Sequence, residues 1–261
     1  MRYLFLMLSF LLVALPARAE LLRQTVEYKQ GDAVLEGYLV QDKKYLLMKT
    51  RQPGIVLVHD WMGLGDYAKQ RADMLANMGY IVLAADIYGK GVRPQNQDEA
   101  AKQAGMYKAD RKLLRARAEA GLDFLKGNAS VDKNRVAAIG YCFGGTTVLE
   151  MARAGMPLVG VISFHGGLST DIPARKGDVK AKILVLHGAN DPFESSKEIA
   201  DFQKELNDAG ADWQMMYYSG AVHSFTRRDA GDDPSKGVAY NANADKRSWE
   251  VMKTFFAELF K

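Results

Sequence analysis

The stretch that most constrains this chain is Arg135-Val-Ala-Ala-Ile-Gly-Tyr-Cys-Phe-Gly-Gly-Thr146. Val136–Ile139 is an apolar run long enough for one buried strand, and Thr146–Ala154 has the pattern of a helix. Between them, Gly140, Gly144 and Gly145 flank one reactive side chain, Cys142. Strand, sharp turn and helix form the setting of a nucleophile elbow, usually G-x-S-x-G, here with a thiol in place of the hydroxyl. Such a turn strains the nucleophile's backbone and brings strand and helix close, so glycine suits the positions two residues to either side. A helix N-terminus behind Cys142 would favour a thiolate. The same residues also fit a buried cysteine beside an ordinary glycine turn.

Around this stretch, apolar runs alternate with amphipathic segments. Arg23–Lys29 and Val34–Gln41 flank Gly31-Asp32 and read as an antiparallel hairpin. Asp42–Gln52 reads as a polar connection broken by an apolar patch, Tyr45–Met48. Gly54–Val58, Tyr80–Ala85, Leu158–Phe164, Lys182–Leu186 and Trp213–Tyr218 read as further strands. The spacing predicts a helix with Ala68, Ala72, Leu75 and Ala76 on one face, and a helical region from Asp98 to Leu125 broken near Gly105. It predicts two more, Glu194–Ala209 and Asn243–Phe260, the last with Trp249, Met252, Phe256 and Leu259 facing inward. Alternation from Gly54 onward implies an α/β fold, a mostly parallel sheet with helices on both faces. In such sheets chemistry sits beyond the carboxyl ends of the strands. Asp60, Asp86, Cys142, His165, Asp191 and His223 all follow strands.

At 261 residues, 48% hydrophobic and 25% charged, the chain suits one globular domain with a large core. Residues 1–19 stand apart. Met1-Arg2 is a short basic start, Tyr3–Leu15 is uncharged and apolar, and Ala17-Arg18-Ala19 offers small residues for cleavage. This is the pattern of a secretory signal peptide cut after Ala19, so residues 20–261 are expected as the domain of an exported protein, periplasmic or secreted. The apolar run is short for a membrane span and no stop-transfer pattern follows, so no stable membrane anchor is expected. Losing Arg2 and Arg18 takes the formal charge from +4 to +2, and no Lys/Arg block points to nucleic acid. Cys142 is the only cysteine, so no internal disulfide can form. A lone thiol in an oxidising compartment is easier to understand if it has a task.

A thiol nucleophile needs a base, and the base needs an orienting acid. In the α/β-hydrolase order these follow as nucleophile, acid, histidine. Asp191 lies 49 residues after Cys142, and His223 a further 32 residues on. Both sit in glycine-containing turns after strands. Asp191 also fits a helix cap before Pro192. Of the other histidines, His59 and His187 are closely followed by an acid and read as structural, while His165, before Gly166-Gly167, is positioned to line the site.

These residues resemble the dienelactone hydrolase family of α/β-hydrolases, over nearly all of Val26 to Phe260. The carriers are Gly54-Ile-Val-Leu-Val-His-Asp-Trp-Met-Gly63, Ala85-Asp86-Ile-Tyr-Gly89, Gly140-Tyr-Cys-Phe-Gly-Gly145, His187-Gly-Ala-Asn-Asp191, His223-Ser-Phe225 and Ala239-Tyr-Asn241. The elbow with cysteine is the most specific of them. The resemblance implies a triad of Cys142, Asp191 and His223, and an oxyanion hole from the backbone N–H groups of Trp61 and Phe143. It implies hydrolysis of a small ester or lactone, anionic in the best-known members, with no metal or organic cofactor. Asp60 stands where those members carry a glutamate that partners the resting thiol. Arg227 matches an arginine that binds substrate carboxylate, and Arg93 and Arg111 are candidates for a second one upstream. A general carboxylesterase or thioesterase, or a ligand-binding member without activity, would share the fold. Oligomeric state is not legible.

Overall fold

The computed structural model describes residues 20–261; the expected signal peptide lies outside them. The chain begins with a hairpin, β1 (Leu21–Gln30) and β2 (Ala33–Asp42), paired antiparallel across Gly31-Asp32. Then come β3 (Gln52–Val58), α1 (Asp66–Asn77), β4 (Ile81–Ala85), α2 (Gln97–Ala109) and α3 (Arg111–Gly127). The elbow joins β5 (Val131–Tyr141) to α4 (Phe143–Arg153). β6 (Gly160–Phe164), β7 (Lys182–Gly188), α5 (Ser196–Ala209), β8 (Trp213–Tyr218) and α6 (Ala242–Leu259) complete the chain.

The eight strands form one sheet in the order β1-β2-β4-β3-β5-β6-β7-β8. β3 to β8 are parallel, and the hairpin is added at one edge through an antiparallel β2–β4 pairing. This is the expected α/β-hydrolase architecture. Because the central strands are covered on both faces, they read as unbroken apolar runs; Ile55–Val58 and Ile81–Ala85 are wholly buried. One face packs under α1 and α6 through Leu75, Ala76, Met252 and Phe256. The other packs under α2 to α5 through Tyr107, Leu122, Val148 and Phe202. From β3 the chain moves outward to β4, then returns past β3 to β5. The carboxyl ends of β3 and β5 therefore lie side by side, Val58 opposite Gly140, at the point where the strand order reverses. That is where an open α/β sheet leaves a crevice.

α4 lies wholly inside the molecule, so its charged residues need partners. Arg153 pairs with Glu150 at 3.0 Å and with Glu205 of α5 at 2.8 Å, and Glu150 takes Arg115 of α3 at 2.7 Å. These pairs tie the helix behind Cys142 to both neighbours. Removing one partner would strand a buried charge.

Some expectations need correction. The break between α2 and α3 falls at Asp110, not near Gly105. Gly105 is exposed within α2, where the helix absorbs a cost of about 1 kcal/mol. Asp110 leaves helical geometry (φ −121°, ψ 81°), closes α2 with its N–H and caps α3 by accepting from Leu113 N–H at 2.9 Å. The apolar patch Tyr45–Met48 divides. Tyr45 is buried, whereas Leu46, Leu47 and Met48 face solvent. Trp249 and Leu259 face inward as expected, partly buried against the core, and Arg71 lies over the Trp249 ring. Among the described residues no helix is long and apolar enough to cross a membrane.

Candidate active site

The elbow is built by two close approaches. A Cβ on Gly140 would lie 2.0 Å from the Gly144 carbonyl oxygen, and one on Gly144 would lie 2.2 Å from the Val58 carbonyl oxygen. Only glycine fits either place. The second approach presses the N-terminus of α4 against the end of β3, beside Asp60 and Trp61. Gly144→Ala is expected to force the two backbones apart, at about 1–3 kcal/mol for overpacking and so a Tm lower by about 3–10 °C. An unchanged melting curve would show that the elbow can relax around a methyl group.

Cys142 sits at φ 55°, ψ −114°. It is one of three non-glycine residues with positive φ among the described residues; the others are His165 and Ser224. All three lie at this end of the sheet. Such conformations cost about 1–3 kcal/mol each and persist where the surroundings over-determine them.

The structure brings Cys142, His223 and Asp191 together. His223 Nε2 lies 3.1 Å from Cys142 Sγ, and His223 Nδ1 lies 2.8 Å from Asp191 Oδ2. The Asp191 carboxylate is fully enclosed, and its other oxygen accepts from Phe193 N–H at 3.0 Å. The acid thus shapes its own turn while it holds the imidazole. Phe193, itself exposed, stands edge-on to the His223 ring at 5.2 Å and covers one side of it. Burial draws the His223 pKa down, but the Cys142 sulfur and the Asp191 hydrogen bond outweigh it and push it up to about 10. Both neighbours thus favour the imidazolium form of His223.

Phe143 opens α4, so its N–H has no partner within the helix. In the loop after β3, Met62 N–H donates to Asp60 Oδ1 at 2.8 Å and Gly63 N–H to the Asp60 carbonyl at 3.1 Å. Trp61 N–H donates to no group among the described residues. Tyr88 fixes this loop by donating to the Trp61 carbonyl at 3.0 Å while its ring packs on Phe143 at 5.3 Å. Tyr88 belongs to the Ala85–Gly89 stretch that carries the resemblance, but nothing in the sequence assigned it this role.

The family model for the dienelactone hydrolase family matches residues 35–260 of this chain. The chain belongs to the dienelactone hydrolase family. A solved structure described as a dienelactone hydrolase-like promiscuous phosphotriesterase from metagenomic libraries is 38% identical, with a TM-score of 0.84 over 92% of this chain and 98% of that one. A second, named m3DLH, is 36% identical with a TM-score of 0.86, over 92% of this chain and 99% of that one. The carboxymethylenebutenolidase of Pseudomonas sp. (strain P51) is 26% identical over 78% of this chain and 86% of its own length.

Against the family pattern, three placements differ from expectation. Asp60 does not contact the thiol: one oxygen serves Met62 N–H and the other pairs with Arg227. Arg227 is not free for a substrate carboxylate. Its guanidinium is shared between Asp60 and Asp229 and lies over the Tyr67 ring at 5.2 Å. His165 does not line the substrate side. It is fully buried, with Nδ1 accepting from Cys142 N–H at 3.2 Å and Nε2 2.7 Å from Thr226 Oγ1.

The upstream arginines are also engaged. Arg93 ties the loop after β3 to its own loop through the carbonyls of Leu64 and Val92 at 3.0 and 2.8 Å. Arg111 is buried and reaches the Ser169 carbonyl at 3.2 Å, with Nε and Nη1 left without hydrogen bonds. His59 bonds backbone alone: Nδ1 meets the Asp60 carbonyl at 2.6 Å and Nε2 accepts from Ile87 N–H at 3.2 Å. His187 packs edge-on against Tyr217. Both read as structural. Among the described residues no group of three or more His, Cys, Asp or Glu side chains is placed to hold a metal ion.

Proposed function

We propose that this hydrolase cleaves a carboxylic ester or lactone with Cys142 as nucleophile, through a thioester intermediate. The observation that carries this reading is the continuous line Cys142 Sγ, His223 Nε2 and Nδ1, Asp191 Oδ2, with contacts of 3.1 and 2.8 Å. The thiolate attacks the carbonyl carbon, and the oxyanion accepts from Trp61 and Phe143 N–H. As the tetrahedral intermediate collapses, the C–O bond breaks and His223 gives its proton to the leaving oxygen. Water then attacks the thioester while His223 takes a proton from it, and the acid leaves with regeneration of the thiolate. Asp191 holds the imidazole in the tautomer this exchange needs. Residues 1–19 are proposed as an export signal, which N-terminal sequencing of the mature protein would test.

Hydrolysis of p-nitrophenyl acetate and of an enol-lactone, with and without a thiol alkylator, is the direct test. We expect turnover that disappears on alkylation; turnover that survives it would place the nucleophile elsewhere. A panel of ester and thioester chain lengths separates a lactonase from a general esterase or thioesterase. A second activity, on phosphotriesters, is supported by the 38%-identical structure described as a promiscuous phosphotriesterase. Paraoxon belongs in the same panel.

His223 keeps its proton until about pH 10. Its pKa is raised, so the protonated form needed to release an alkoxide is present below that pH and lost above it. For an alkyl ester, kcat/KM is expected to hold through neutral pH and fall as pH passes about 10. A fall centred near pH 7 would mean that the sulfur does not hold the imidazolium.

Arg227 determines what charge the substrate carries. With Asp60 and Asp229 both on its guanidinium, an anionic substrate has to displace a carboxylate, so neutral esters are expected to be preferred. Asp229→Asn would release one face of Arg227. A charge-assisted hydrogen bond is worth about 1.5–3 kcal/mol, so kcat/KM for an anionic ester should rise about tenfold or more relative to a neutral one. An unchanged ratio would make Arg227 a loop brace only.

A further inference from the structure

The loop after β8 carries more than the base. Thr226, three residues past His223, is buried and lies 2.7 Å from His165 Nε2. His165 Nδ1 in turn accepts from the N–H of Cys142, which also donates to the Phe164 carbonyl at 3.0 Å. Its own N–H is pinned to the Leu186 carbonyl at 2.9 Å. The His165 ring therefore joins the backbone of the elbow to the loop that presents His223, and its backbone ties both to the end of β7. Its ring also packs edge-on against His223 at 5.4 Å and Phe225 at 5.1 Å.

We propose that His165 is a positioning residue for the thiol, an imidazole held in the Nε2–H tautomer by the Cys142 N–H at Nδ1 and anchored at Nε2 by Thr226. The proposal rests on the reading of Cys142 as nucleophile. The geometry requires one tautomer. If Nδ1 bore the proton, two N–H groups would face each other across 3.2 Å and the strained backbone of Cys142 would lose a contact. The Cys142 N–H, which can only donate, selects against that state, and Thr226 Oγ1 then accepts from Nε2–H.

The hydroxyl is itself oriented by the Tyr67 hydroxyl at 2.6 Å, which takes Arg71 Nε at 3.3 Å. Arg71 also donates to the Thr226 carbonyl at 2.8 Å. Burial first, and then the charges of His223, Arg71 and Arg227, hold His165 well below the ordinary histidine range, so it stays neutral. A side chain that is neutral, enclosed and bonded at both nitrogens cannot exchange protons with substrate. It can hold Sγ at 3.1 Å from His223 Nε2 by fixing what lies on either side.

The test reads the tautomer directly. In long-range 1H–15N spectra from pH 6 to 9, His165 of the full-length mature protein should show an unprotonated Nδ1 and a protonated Nε2, assigned by the signals lost in His165→Asn. His59, whose Nδ1 faces a carbonyl and whose Nε2 accepts an N–H, should show the opposite tautomer. In Thr226→Val the His165 signals should become a mixture, and kcat should fall about ten- to hundredfold with little change in KM, as expected for a misplaced nucleophile. Thr226→Ser should restore both the single tautomer and activity. An Nδ1–H tautomer in the wild type would overturn the proposal without any variant having to fold. A mixture with full activity, or a loss of activity with the tautomer unchanged, would overturn it as well. If the wild type has no ester activity at all, the proposed function fails, while the spectra still decide whether the imidazole is locked.

Discussion

Cys142→Ala is expected to abolish ester hydrolysis, by at least about a thousandfold in kcat, while leaving Tm nearly unchanged. The elbow is shaped by Gly140 and Gly144, and its helix is held by the ion pairs of Glu150 and Arg153, none of which involves sulfur. Alanine keeps the Cβ that the backbone already accommodates at φ 55°. What disappears is the atom that forms the thioester and the charge that holds the His223 proton. A second reading checks the cause. Burial alone draws the imidazole down, and the sulfur is the largest of the influences that raise it. Without it, His223 should titrate well below 10 in 1H–15N spectra. A variant that loses activity and keeps His223 protonated to pH 10 would show that the thiolate is not its partner.

His223→Ala should be nearly as damaging, and in a way that separates the two halves of the reaction. Deacylation needs a base to draw a proton from water, whereas a p-nitrophenolate can leave without help. The variant should therefore acylate slowly and then stall. Turnover should drop by about a thousandfold or more, and intact-mass spectra should show one acetyl group on Cys142 after exposure to p-nitrophenyl acetate. His187→Ala is the control. Its ring packs edge-on against Tyr217, and it forms no hydrogen bond to Cys142, Asp191 or His223, so activity should stay within a few-fold. Equal losses in the two variants, with no acyl-enzyme, would remove the basis for choosing His223.

Much of the fold was legible because its signals are local. The apolar run into Gly140 and the helix after Gly145 mark β5 and α4 directly, and strand–helix alternation implies the parallel sheet. Chain order and turn composition were enough to bring Asp191 and His223 to the same end as Cys142. What stayed hidden depends on partners distant in sequence. Asp60 and Arg227 are 167 residues apart, and no pattern within either neighbourhood says that they pair. His165 and Thr226 are 61 apart, and a histidine before two glycines looks like a site lining until its ring is seen to be enclosed. The break at Asp110 was missed for a different reason. Glycine is a strong marker of a helix break, but a tertiary contact face outweighs its propensity, and capping by an aspartate is a weaker signal.

The two glycine contacts of the elbow have a consequence for how this family is surveyed. Folding constrains positions 140 and 144 tightly, yet it places almost no demand on the chemistry of the side chain at 142. A lineage in which that residue drifted to alanine would keep its melting temperature and its sheet. Selection for stability is blind there, and so are thermal-shift screens and fold comparisons. Since the chain has one cysteine, a simple thiol titration counts intact sites one for one. Applied to preparations of this protein, it would tell intact sites from oxidised ones before any substrate is known.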